Sequence, residues 1–389
     1  MFVSLADATA ENSGGKAGTL GRLLRAGFPV PDGFALTTTA YRSAADASGD
    51  LAPPFASQAA RDLFTGQLRA LGDRPLAVRS SATDEDTVTR SAAGQHETVL
   101  AVQGPDEVAA AIRACWDSLH SPGAVAYRAN SSGIADEKEP AMGVLIQQLV
   151  DADASGVMFT PSSPPEATTI EASWGLGSSI VGGTVSPDTF RVAHDGSLDR
   201  IIADKHTRVD QDGTRLVTRD VPTAERARPA IDDTTAHDLA GLGRRIADLL
   251  GGPQDIEWAV AEGRVWILQS RPITVAPPSP PDSAAGSGTP GSHGTATGPA
   301  RIVHGPDGFG RVRPGDVLIC PLTTPAWTPL LKIVAAVVTE TGGVLSHAAI
   351  VARELGVPAV LGVLEATHRL QDGEMLTVDG TNGTITRDA

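Results

Sequence analysis

The chain has 389 residues, enough for about two or three domains that each bury a core. Its formal net charge is −15, with −13 of it in the first 292 residues, which excludes a general nucleic-acid surface. There is no long apolar run, no basic-then-apolar start in Met1 to Ala10, and no metal-ligand neighbour near Cys115 or Cys320; the expectation is a soluble, cytoplasmic protein with no membrane partner, disulfide framework or zinc site.

From Gly14 the chain reads GGKAGTLGRLLRAGFPVPDGFALTTTAY. Leu20, Leu23 and Leu24 give one face of a short helix ended by Gly27, and Gly33 to Thr39 reads as a strand. The glycine spacing is not that of a Walker A loop, and on spacing alone Lys16 is a solvated lysine. It stands out as one of 4 lysines against 27 arginines.

Leu76 to Ser81 (LAVRSS) is a strand running into SATDEDTVTRSAAGQHET, whose small residues from Ser91 to Gly94 suit a nest of backbone N–H groups around phosphate. Arg79 leaves that strand, a poor place for a merely solvated charge. Asp106 to Leu119 has the spacing of an amphipathic core helix. Gly143 to Val150 and Gly156 to Thr160 read as strands, followed by TIEASWGLGSSIVGGTVSPD from Thr169.

QDIEWAVAEGRVWILQSRPIT, from Gln254 to Thr274, is a hairpin about Glu262-Gly263. A three-residue loop pairs odd with odd positions and puts Asp255, Glu257, Gln269 and Arg271 on one face; a two-residue loop puts them on opposite faces. The first register assembles carboxylate, amide oxygen and guanidinium, the groups a magnesium nucleotide needs. Ala276 to Ser292 (APPSPPDSAAGSGTPGS) has a linker's composition. As a coil its ends lie about 20 Å apart, and extended roughly 50 Å.

In the last part of the chain, Ile333 to Thr339 suits a strand buried on both faces. A glycine turn follows, then a helix carrying Ala348, Ala352 and Leu355, stopped by Gly356 and Pro358 before a second apolar strand to Val363. Ser346 is a suitable N-cap, which puts His347 in the first helical turn. There the free N–H groups and the dipole disfavour an imidazolium and favour a phosphate.

These strings together resemble the PEP-utilising enzymes, the family of phosphoenolpyruvate synthase, pyruvate phosphate dikinase and rifampin phosphotransferase, from about Gly14 to Ile385. The resemblance implies an α/β and α+β protein: an ATP-grasp-like nucleotide-binding domain (1–275), a flexible linker (276–292) and a small swivelling β/α phosphohistidine domain (293–389). It implies that Lys16, Arg79 and the loop with Gly94 hold the triphosphate of ATP, and that Gln147, Gln148 and Leu149 contact the base. Glu257 and Gln269 would ligate Mg2+, Arg271 would meet phosphate, and His347 would carry the phosphoryl group. Two positions depart from the family pattern: Ser178 stands where glutamate is usual, and Leu345 where pyruvate-using members have threonine.

The reaction so implied is a dikinase-type phosphotransfer. His347 attacks the β-phosphate, AMP leaves, the γ-phosphate is released to water or phosphate, and the rest passes to an acceptor. The family's pyruvate barrel and drug-binding domain find no counterpart in the remaining residues, so the leading expectation is a hydroxylated small-molecule acceptor bound between the two domains. The alternative is one subunit of a two-component dikinase that donates to an acceptor-bearing partner protein. An ATP-grasp ligase would release ADP instead of AMP, and a regulatory nucleotide binder would not turn over.

Overall fold

The computed structural model describes residues 1–45, 55, 57–83, 97–121, 125, 140–161, 166–273, 275, 288–344 and 346–387. The strands are β1 (Phe2–Ser4), β2 (Gly33–Leu36), β3 (Leu76–Ala82), β4 (Thr98–Val102), β5 (Met142–Gln148), β6 (Ala154–Phe159) and β7 (Thr168–Trp174). They continue with β8 (Asp188–Val192), β9 (Leu198–Ile201), β10 (Thr207–Asp212), β11 (Arg215–Asp220), β12 (Gln254–Ala261) and β13 (Arg264–Pro272). The last are β14 (Thr289–Ser292), β15 (Thr295–Ile302), β16 (Val317–Cys320), β17 (Ala336–Thr339), β18 (Ala359–Leu361), β19 (Met375–Asp379) and β20 (Thr384–Arg387).

The first sheet has the order β1-β2-β5-β3-β4 and is antiparallel throughout. Alternation along its strands sends Phe34, Leu36, Val78, Val144 and Ile146 to a core shared with the helices Gln58–Ala70 and Pro105–Ser118. Ala35 and Leu145, on the other face, pack against Ala17, Leu20 and Leu23 of the helix Gly15–Arg25. Lys16 therefore lies in a first helical turn, and the second strand ends at Leu36, earlier than its sequence suggests, because Thr38 starts a helix.

The second sheet, β13-β12-β6-β7-β8-β9, is also antiparallel. One face carries Met158, Ile170, Ile256, Trp258 and Ile267 onto the helix Asp233–Leu250, which Asp232 caps at its start and a left-handed Gly251 ends. The opposite face carries Glu171, Asp255, Glu257, Gln269 and Arg271 around the apolar Val157 and Phe159. Beneath the sheet, Asp188 and Lys205 form a wholly buried ion pair, and Asp188 also accepts from the backbone N–H groups of Ala203 (2.9 Å) and Ala230 (2.8 Å).

The third sheet runs β14-β18-β17-β16-β15-β19-β20, parallel from β15 to β18 and antiparallel at its edges. Its inner strands are buried on both faces, with Leu318 and Val337 in one core and Val317, Ile319 and Val338 in the other. The sequence composition predicts a linker as far as Ser292, but Thr289–Ser292 is already a strand, paired with β18. Edge pairing needs only backbone groups there, so Pro290 and Gly291 are tolerated.

Candidate functional site

The polar face of the second sheet can be read in rows, because hydrogen-bonded neighbours point the same way. One row is Glu171, Val157, Glu257 and Gln269, on β7, β6, β12 and β13. The next is Thr169, Phe159, Asp255 and Arg271. Asp255, Glu257, Gln269 and Arg271 thus share a face, by a route the loop-length argument does not anticipate. The turn at Glu262 (φ 53°) and Gly263 (φ 72°) has two residues, since Ala261 pairs with Arg264. A bulge between Glu257 and Trp258 then shifts the register by one residue and brings the four onto one side.

The first row borders a cavity of about 280 Å³ between the first and second sheets. Glu257 and Gln269 line one wall, with Arg79, Gln147, Gln148 and Leu149 across from them. Arg79 donates from Nη1 to the Leu268 carbonyl (2.9 Å) and stands 4.0 Å from Glu257 Oε2, and its buried Nε has no hydrogen-bond partner among the described residues. Arg79 lines the cavity, and a guanidinium there suits an anionic ligand. The amide nitrogens of Gln147 and Gln148 donate to the carbonyls of Pro31 (3.0 Å) and Leu71 (2.8 Å), so main chain and aliphatic surface are what those residues offer a base. Ser178 also lines the cavity, where the short helix Ser178–Val181 closes one end.

Not every expected residue converges here. Lys16 is buried outside this cavity, in a helix held to β3 by the Ala17 N–H donating to Ser81 Oγ (3.1 Å). Gly94 and Leu345 lie outside the described residues. Arg271 sits one row further along, its Nε and Nη2 both on Asp255 Oδ2 at 2.8 and 2.7 Å. Around that pair lie Ile350, Arg353 and Glu354 of the helix His347–Leu355, which docks on the same sheet face.

Ser346 has the extended conformation of an N-cap, yet its Oγ makes no cap bond and is buried with no partner among the described residues. His347 begins the helix and is 7% exposed. Its Nδ1 is 2.8 Å from Thr323 Oγ1, whereas Nε2 is buried and has no partner among the described residues. Burial pushes its pKa down to about 4, so the ring is neutral at physiological pH.

Residues far away in sequence hold this segment. The Val344 N–H donates to Glu171 Oε1 (2.7 Å) and Thr341 Oγ1 to the Gly183 carbonyl (2.5 Å). Arg353, 7% exposed, lies over the Phe159 ring at 5.7 Å and donates to the Gly291 carbonyl (2.9 Å). Neither Glu171 nor Thr323 carries a sequence signal, because each meets the histidine segment only through the tertiary fold. Among the described residues no helix is long and apolar enough to cross a membrane.

Residues 57–287 match the family model described as pyruvate phosphate dikinase, AMP/ATP-binding domain, and residues 312–383 that of the PEP-utilising enzyme, mobile domain. The probable phosphoenolpyruvate synthase of Methanothermobacter thermautotrophicus is 34% identical over 96% of this chain and 61% of its own length. That of Archaeoglobus fulgidus is 36% identical over 96% of this chain and 56% of its own. The chain thus spans little more than half the length of such relatives. Among solved structures, the D-alanine–D-alanine ligase of Bacillus anthracis aligns with a TM-score of 0.31 and 10% identity, covering 69% of this chain and 59% of that one, an overlap too loose to bear on the fold.

Proposed function

Because the chain belongs to the pyruvate phosphate dikinase AMP/ATP-binding family, with a PEP-utilising mobile domain after it, we propose that it is a dikinase-type phosphotransferase in which His347 carries the phosphoryl group. The observation that carries this reading is the state of His347: neutral, held at Nδ1 by Thr323, with an Nε2 that has no partner among the described residues, on the sheet face that also bears Glu257, Gln269 and Arg271.

An imidazole that keeps its proton on Nδ1 has its lone pair on Nε2, which makes Nε2 the nucleophile. It attacks the β-phosphorus of ATP; the Nε2–P bond forms, the bond from that phosphorus to the bridging α,β oxygen breaks, and AMP leaves with the electron pair. The γ-phosphate then departs to water or phosphate, and the remaining group passes to an acceptor.

Positioning and charge neutralisation dominate such transfers. Arg79 meets the triphosphate in the cavity. Arg271 stands between cavity and histidine helix and exchanges Asp255 for phosphate as the nucleotide fills. Glu257 and Gln269, neighbours across β12 and β13, suit Mg2+ bound chiefly through phosphate oxygens, where the ion would neutralise developing charge. Gln147, Gln148 and Leu149 bound the base.

The acceptor is a hydroxylated small molecule bound between the domains once the phosphohistidine domain swings on its linker. A second reading puts the acceptor site on a partner protein. To test the carrier role, the protein is incubated with β-labelled and γ-labelled ATP in separate tubes. Acid-labile label from the β position and release of AMP are expected, both lost in His347→Ala. Label that survives in the variant, or ADP as the product, overturns the reading.

A further inference from the structure

Glu171 is a carboxylate 1% exposed in the middle of a sheet, a position that is costly without a partner. Its Oε1 accepts from the Val344 N–H at 2.7 Å, across 173 residues of sequence, in the loop just ahead of His347. Gly343 is pressed onto the same carboxylate: a Cβ there would lie 2.1 Å from Oε1, 2.5 Å from Cδ and 2.6 Å from Oε2 of Glu171, its three nearest heavy atoms. Gly343 has no left-handed φ, so space alone demands glycine. The loop is seated on Glu171 as on a socket, and the Thr341 bond to the Gly183 carbonyl holds its other side.

A competing role would make Glu171 a third ligand beside Glu257 and Gln269. The β6 strand, bearing Val157, separates Glu171 from Glu257, which puts their backbones roughly 10 Å apart. Glu171 is also absent from the lining of the main cavity, whereas Glu257 and Gln269 are part of it. Its carboxylate faces the carrier loop instead.

We propose that Glu171 is a positioning residue for the first half-reaction alone: it seats the loop ahead of His347 on the nucleotide side, and lets go when the domain leaves for the acceptor. This rests on the carrier role of His347. A backbone N–H on a carboxylate suits such a contact, since water replaces each partner when the loop lifts. Gly343 is its steric complement on the moving domain.

The test is a double-mutant cycle in the full chain, with Glu171→Ala, Gly343→Ala and the two combined, plus Glu171→Gln. Readouts are the single-turnover rate of β-label appearing on His347, the ATP dissociation constant, and hydrogen–deuterium exchange at the Val344 amide. Glu171→Ala and Gly343→Ala should each slow labelling by about tenfold or more, with ATP affinity within about twofold of the parent. The double variant should be no slower than the worse single one, because both remove one contact. Glu171→Gln, whose amide oxygen still accepts from Val344, should recover most of the rate.

Additive losses, an unchanged rate in Glu171→Ala, or a Glu171→Gln variant as slow as Glu171→Ala with weakened ATP binding would each overturn the assignment. If the parent takes no label, the carrier reading itself fails. Amide exchange then decides the contact alone: it is expected to be slow at Val344 in the parent and fast in Glu171→Ala, and equal rates reject it.

Discussion

At the scale of the residue, His347 departs from an ordinary histidine in a way that pH reports. The folded chain protonates it only near about pH 4, whereas an unfolded histidine takes its proton near about 6.5. Between those values the unfolded state binds more protons. The stability this neutral, buried ring contributes is therefore complete above about 6.5 and is lost as pH falls through the window toward 4. The full shift corresponds to at most on the order of 3 kcal/mol. Denaturant titrations from pH 7.5 to 4.5 should show the parent losing more stability than His347→Asn; parallel losses would mean that the ring is not buried as described. His347 is legible in the sequence because glycine turn, helix start and helix stop lie within a short string. Thr323, whose hydroxyl meets its Nδ1, is not, since it arrives from a separate loop 24 residues away.

At the scale of the element, the hairpin β12–β13 shows what periodicity can and cannot supply. Alternation marks two strands, and a shared face for Asp255, Glu257, Gln269 and Arg271 is one of its two possible outcomes. The turn residues argue for the other outcome, and the bulge reverses it. Glu257 pairs with Gln269 and Trp258 with Ile267, so Leu268 is the extra residue, and its carbonyl is what Arg79 Nη1 holds. No side-chain pattern announces such a bulge, because its cause is backbone geometry near a site. Deleting Leu268 should restore a regular ladder that keeps Glu257 opposite Gln269 and Asp255 opposite Arg271, but it removes the bulged carbonyl that holds the Arg79 guanidinium at the cavity. ATP binding by calorimetry should then fall by at least about tenfold, the cost of losing a charge-assisted contact. Retained affinity would show that the bulge does not set the site.

At the scale of the whole molecule, the second sheet serves two clients on one face: the cavity beside Glu257 and Gln269, and the histidine helix beside Asp255 and Phe159. Composition sets the Pro-, Gly- and Ser-rich stretch 276–292 apart, but the docked arrangement is not legible in it, because that depends on charges brought together from distant segments. Arg353 is central to it. Burial pushes its pKa down to about 10, with Asp255 and Glu171 opposing that shift, so it remains a cation at neutral pH. When the domains part, these carboxylates and the guanidinium gain water; while docked, they depend on one another. Replacing Arg353 with Met keeps an unbranched, largely apolar stem but removes the buried cation near Asp255 and Glu171, which disfavours burial of those carboxylates. Most of that effect falls on the docked state, because in the open state the carboxylates hydrate freely. Arg353→Met should therefore enlarge the radius of gyration measured by small-angle scattering and slow the labelling of His347, while ATP still binds the cavity. An unchanged radius with an unchanged labelling rate would mean that docking rests on the Thr341 and Val344 contacts alone, and that the buried cation only braces the histidine helix against Gly291.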